Sequence, residues 1–145
     1  MNALATEQTS GRRLVDAELF ERLVTFLEFE KDMNRPEAER VMDQALAFID
    51  MAGHRNDVPL FPSRRVDPGW HAFILHSREY ADFCQRRFRR FLHHSPLKEQ
   101  RLRDGVSIKR TVQAIEELGY AVDHELWGTA AECNPPACCG DGDGC

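Results

Sequence analysis

The apolar residues of this chain recur at helical rather than strand spacing, and Asn34-Arg35-Pro36, Gly53 and Asp67-Pro68 cut that pattern into helix-sized lengths. From about Val15 to Met33, Leu19, Phe20, Leu23, Val24, Phe26, Leu27 and Phe29 return to one side of a helix that Asp16 can cap. Asn34 is placed to cap a second helix, with Pro36 tolerated in its first turn. That helix is expected to run to about Ala52 with Val41, Met42, Ala45, Leu46, Phe48 and Ile49 facing inward, and Gly53 ends it.

Residues 54 to 66 carry two prolines and no helical period, which predicts a connector pinned to the core by Leu60 and Phe61. Asp67-Pro68 then opens a third helix, predicted to continue to His93-His94 as the central core helix. Its apolar residues, from Trp70, Phe73 and Ile74 through Tyr80, Ala81, Cys84 and Phe88 to Phe91 and Leu92, fall within an arc of roughly 120° at about 100° per residue. A short charged turn is expected over 97 to 103. A last amphipathic helix from about Ser107 to Leu118 buries Ile108, Val112, Ile115 and Leu118, and Tyr120, Val122, Leu126 and Trp127 add one more apolar anchor.

These elements predict an all-α fold, a single small helical domain of four to five helices over residues 13 to 128. A disordered N-terminus (1 to 12) and a flexible cysteine-rich C-terminal tail (129 to 145) flank it. At 145 residues the chain can bury a core without a metal or disulfide staple. The formal net charge of −5 argues against general affinity for nucleic acid, which needs surplus Lys and Arg. The cluster Arg86, Arg87, Arg89 and Arg90 is read as a solvated face whose aliphatic stems cover apolar neighbours. No apolar run suits a signal peptide or a bilayer span, so the expected setting is cytoplasmic, without a membrane partner, and with reduced thiols.

Chemistry concentrates in the histidines. Four of the six, His71, His76, His93 and His94, belong to the predicted third helix or its end. Imidazole is the commonest metal ligand and titrates near neutrality, so the cluster admits metal and acid/base readings. His71 and His76 would project about 140° apart on an ideal helix and cannot by themselves chelate one ion. Asp67 and His71 share a face at the four-residue step, where a carboxylate can orient or co-ligate with an imidazole, although capping by Asp67 is the simpler expectation. His76 suits a hydrogen-bonded interface as well as it suits a ligand. His93 and His94 come where the helix ends and can fold back toward another element.

The run PSRRVDPGWHAFILHSREYADFCQRRFRRFLHHSP, with Pro62-Ser63, Val66-Asp67, Trp70-His71, His76, Tyr80, Phe83-Cys84, Phe91 and His93-His94, resembles the glycine-rich domain-containing protein-like family of bacteria, in particular its short actinobacterial members. The likeness covers about residues 62 to 96, with a looser echo through Gly119 and Trp127. It implies a site for polar chemistry on the Asp-x-x-Trp-His core and the later His-His, here Asp67, Trp70, His71, His93 and His94. The chain departs from the family's name in having nine glycines and no long glycine-rich segment.

A second cluster is the tail CNPPACCGDGDGC, where Cys133, Cys138, Cys139 and Cys145 could meet at one soft or borderline metal ion. The Cys-x-x-Cys hooks of zinc knuckles are absent, and an oxidisable coil is the plainer reading. The leading functional expectation is a non-catalytic protein that binds a transition metal such as zinc, or a protein partner, around His71 with Asp67, His76, His93 and His94 nearby. A small metal- or histidine-dependent enzyme is one alternative. The other is a precursor or interaction protein whose tail is modified or recognised.

Overall fold

The computed structural model describes residues 7–55, 60–95 and 105–129, and for Gly105 and Val106 the backbone alone. The described residues form an all-α domain without strands; an isolated parallel bridge joins Thr9 to Tyr120. The helices are α1 (Ala17–Glu30), α2 (Arg35–His54), α3 (Asp67–Leu75), α4 (Ser77–Phe88), α5 (Gly105–Glu117) and α6 (His124–Trp127), preceded by a 3-10 turn, Gly11–Leu14.

Local chemistry sets the first two helices as expected. The Asp16 side chain accepts from the Leu19 amide at 2.8 Å, and the Asn34 side chain accepts from the Glu37 amide at 2.9 Å. The central helix, however, is α2 and not the third. From Val41 to Gly53 nearly every α2 residue is buried, including Gln44 and Asp50, because α1, α3, α4 and α5 surround it. Two polar residues can sit there because each is satisfied. Gln44 accepts from Trp127 Nε1 at 2.8 Å and donates to the Ala121 carbonyl at 3.0 Å. Asp50 takes a two-pronged contact from Arg87 at 2.8 and 3.0 Å and accepts from the Tyr120 hydroxyl.

Gly53 lies inside α2 rather than ending it. Its missing side chain makes room for Phe88, whose ring atoms would lie 2.2 Å from a Cβ at that position. Gly69 plays the same part between α3 and α2, where a Cβ would fall 2.5 Å from that of Ala45. The closeness of this crossing determines how deep α3 sits, and hence where its polar residues emerge.

The predicted single helix from Asp67 to His94 is two helices and an irregular segment. At His76 (φ −88°, ψ 66°) the backbone leaves helical geometry: its amide bonds back to Phe73, and its Nδ1 reaches the Ala72 carbonyl at 2.7 Å. Neither glycine nor proline marks this break in the sequence. The second helix stops at Phe88 because Arg89 adopts the left-handed conformation (φ 59°, ψ 29°) and returns its amide to Cys84 and Gln85. A non-glycine residue there costs about 1–2 kcal/mol. Arg90 offsets this by donating to the Ala52 and Gly53 carbonyls at the end of α2. Arg87 and Arg90 therefore hold the fold together and are not merely a solvated face, whereas Arg86 pairs with Asp82 at the surface.

Two smaller expectations also change. Phe29 is 82% exposed, and Phe91 and Leu118 are partly exposed, so these residues leave the core. The ordered chain starts before residue 13, with the Ser10 hydroxyl bonded to Asp43 and Thr9 paired to the segment around Gly119 and Ala121. The turn expected over 97 to 103 and residues 56 to 59 of the connector lie outside the described residues; of the rest of the connector, Phe61 is buried and its carbonyl accepts from Thr111.

Candidate metal centre

The helix start at Asp67-Pro68 does not use its carboxylate as a cap. Val66 occupies the cap position with no side-chain cap bond, and Ser63 governs the turn instead, accepting the Val66 and Asp67 amides at its carbonyl while its hydroxyl donates to the Leu126 carbonyl. The Asp67 carboxylate turns toward the imidazole one helical turn on, with Oδ2 3.4 Å from His71 Nε2.

His94 completes the group from 23 residues further along. Beyond Arg89 the chain doubles back, Leu92 is buried, and the His94 ring lies flat on Trp70, with ring centres 4.1 Å apart and planes 9° apart. Its Nε2 is then 2.7 Å from His71 Nε2 and 3.0 Å from Asp67 Oδ1. The platform under it is itself fixed. Trp70 Nε1 donates to the Tyr80 hydroxyl at 3.0 Å, and that hydroxyl donates to the Leu92 carbonyl, tying the helix that carries His71 to the segment that carries His94.

Asp67, His71 and His94 thus each offer one ligand atom, all within 4.8 Å of one another. The side chains are 14%, 35% and 5% exposed in that order, so the group is sheltered on the His94 side and reachable at His71. An imidazole Nε2 directs one proton or one lone pair in the ring plane, so His94 Nε2 cannot make two good hydrogen bonds at once. Yet it has two short polar neighbours. A cation placed between the three side chains would interact with all of them together. Metal–ligand bonds of about 2.0–2.2 Å in a tetrahedral arrangement place ligand atoms roughly 3.3–3.6 Å apart. The contacts of His94 and His71 to the carboxylate, 3.0 Å to Oδ1 and 3.4 Å to Oδ2, approach that frame, whereas the 2.7 Å between the two ring nitrogens is a hydrogen-bond distance that would have to widen to admit an ion.

Two histidines and one carboxylate form the donor set of open metal sites, in which further coordination positions are left for water or a ligand. A cleft of about 560 Å³ opens beside the group, with His71 and His94 in its wall.

The other candidates go elsewhere. His76 spends its Nδ1 on the Ala72 carbonyl and lies edge-on to Phe26, and His93 is exposed beside Phe91. Cys133, Cys138, Cys139 and Cys145 lie outside the described residues. Sequence reasoning assigned Asp67 to capping first, and its signals for the outcome were the four-residue step to His71 and the resemblance that grouped Asp67 and His71 with the later histidine pair. It missed Tyr80 as the clasp behind the site, a role that depends on a ten-residue separation across the break at His76.

No helix among the described residues is long and apolar enough to cross a membrane. Comparison with curated proteins and with solved structures gives no match. The sequence profile of the UCP032817-like family matches residues 13–116, which include Asp67, His71 and His94, and the chain belongs to the UCP032817-like family.

Proposed function

We propose that this protein binds one divalent transition metal ion, zinc or a close relative, through Asp67, His71 and His94, and does so in the cytoplasm as a small helical binding protein. The observation that carries the reading is the convergence of His94 Nε2 on both His71 Nε2 (2.7 Å) and Asp67 Oδ1 (3.0 Å), which one ring nitrogen cannot serve by hydrogen bonding alone. The likeness of residues 62 to 96 to the glycine-rich domain-containing protein-like family supports it, since the Asp-x-x-Trp-His core and the later histidine pair supply all three ligands.

A metal-dependent enzyme is the second reading, favoured by the open donor set and the cleft alongside. In that case the ion would polarise a bound oxygen and the chain's own residues would shape what approaches it. A precursor or interaction protein whose tail is modified or recognised is the third reading, and it rests on the thiol cluster alone.

The test is elemental analysis of untagged full-length protein from metal-replete cells, with Cys133, Cys138, Cys139 and Cys145 changed to Ser to silence the tail. Stoichiometric metal is expected, lost in Asp67→Ala, His71→Ala and His94→Ala but retained in His76→Ala and His93→Ala. Substoichiometric zinc, copper, iron and nickel in the tail-silenced protein sinks the reading.

A further inference from the structure

We infer that the cleft beside the metal group is a binding site for a small amphipathic carboxylate, whose head completes the ion's coordination and whose apolar body lies on Phe26, Ile74 and Leu75. The inference rests on the metal reading above and adds to it the class of ligand.

Three observations and one charge argument lead there. The cleft's volume, about 560 Å³, falls in the range of small-molecule sites. Its wall joins His71 and His94 directly to the side chains of Phe26, Ile74 and Leu75, so a ligand that touches the ion must also touch an apolar surface. Leu75 is 66% exposed on that wall, an apolar side chain left at the end of α3 where the break at His76 turns the chain away. A divalent ion held by one carboxylate and two neutral imidazoles keeps a net charge of about +1, which favours an anionic oxygen ligand over a neutral or cationic one.

The lip of the cleft carries Glu30 and Lys31 at the end of α1. Lys31 adds a positive charge suited to the free oxygen of a bound carboxylate, while Glu30 adds a negative one. A single carboxylate therefore fits better than a ligand with several anionic groups spread along its body.

Cobalt-substituted, tail-silenced protein provides the test, because the visible spectrum of cobalt responds to a change in its ligands. Octanoate, acetate and octan-1-ol are titrated separately. Each buried methylene strengthens binding by up to about fourfold, so octanoate should bind at least about tenfold more tightly than acetate. Octan-1-ol should leave the cobalt spectrum unshifted. At equal cobalt content, Leu75→Asp should reduce octanoate toward the affinity of acetate, and Lys31→Ala should weaken both carboxylates severalfold; Glu30→Gln should not weaken either.

Bound cobalt with equal affinities for octanoate and acetate overturns the apolar part of the site while leaving the metal reading intact. Bound cobalt that no carboxylate perturbs overturns the inference whole. No cobalt spectrum in the unsubstituted Asp67, His71, His94 background overturns the metal reading, and this inference with it.

Discussion

The Trp70 indole and the His94 imidazole are stacked with ring centres 4.1 Å apart and planes 9° apart, and this contact brings a residue from the irregular segment after α4 onto the face of α3. The ring does not determine its own position. Tyr80 holds the indole nitrogen and the Leu92 carbonyl with one hydroxyl, so the geometry of the Asp67, His71 and His94 group depends on an oxygen that belongs to none of the three.

Tyr80→Phe isolates that dependence. The substitution keeps the buried ring and removes the hydroxyl, leaving an indole N–H and a carbonyl to find other partners at a cost of about 1–3 kcal/mol. Metal affinity measured by competition with a chelator should fall by about tenfold while helix content stays near wild type. Unchanged affinity in a folded variant would show that His94 is held without the clasp.

Asp50 is buried at 3% exposure, with Arg87 across from it and the Tyr120 hydroxyl alongside. Arg87→Met removes the guanidinium from the buried carboxylate, leaving His54 at 3.5 Å as the basic side chain beside it, and should destabilise the fold by about 3 kcal/mol in urea unfolding. Combining it with Asp50→Asn should recover part of that loss, since the second change removes the charge that the first one strands. Simple additivity of the two would place the energy elsewhere.

Both tyrosines of the chain are buried, and burial pushes each phenol above its ordinary value, with the Asp50 carboxylate adding to the rise at Tyr120. A phenol whose pKa is higher folded than unfolded contributes stability that is complete below the unfolded value of about 10 and is lost as pH rises above it. Tyrosinate absorbance should therefore appear together with loss of the helical circular dichroism signal, in one cooperative step at alkaline pH. A smooth titration near pH 10 with the helices intact would contradict the burial of both rings.

Gly69 sits where α3 crosses α2, and an added Cβ would lie 2.5 Å from Ala45 Cβ and 3.2 Å from the Val41 carbonyl. Gly69→Ala should cost about 1–3 kcal/mol through overpacking, despite alanine's better helix propensity. Because the helix that must shift carries Asp67 and His71, metal affinity should fall as well. A gain in melting temperature would show that the two helices can part without strain.

Much of the fold is legible along the chain. Apolar spacing gives α1, α2 and α5, and Asp16 and Asn34 mark the helix starts with the caps they make. These signals are local, since they depend on the 3.6-residue repeat and on amides within three residues. The break at His76 and the left-handed turn at Arg89 escape such reading because no glycine or proline marks them. They follow from long-range gains: Arg90 reaching the end of α2, Leu92 entering the core, and the Tyr80 hydroxyl bonding across the break.

The site divides along the same line. Asp67 and His71 are paired by the sequence itself, one helical turn apart, whatever the rest of the molecule does. Which distant histidine joins them is a tertiary decision. His93 and His94 are adjacent and chemically identical, and only the path of the backbone after Arg89 puts one ring in solvent beside Phe91 and the other on Trp70, 2.7 Å from His71. A choice between neighbouring residues costs the local sequence nothing, so it is settled by packing against surfaces that the fold alone brings near.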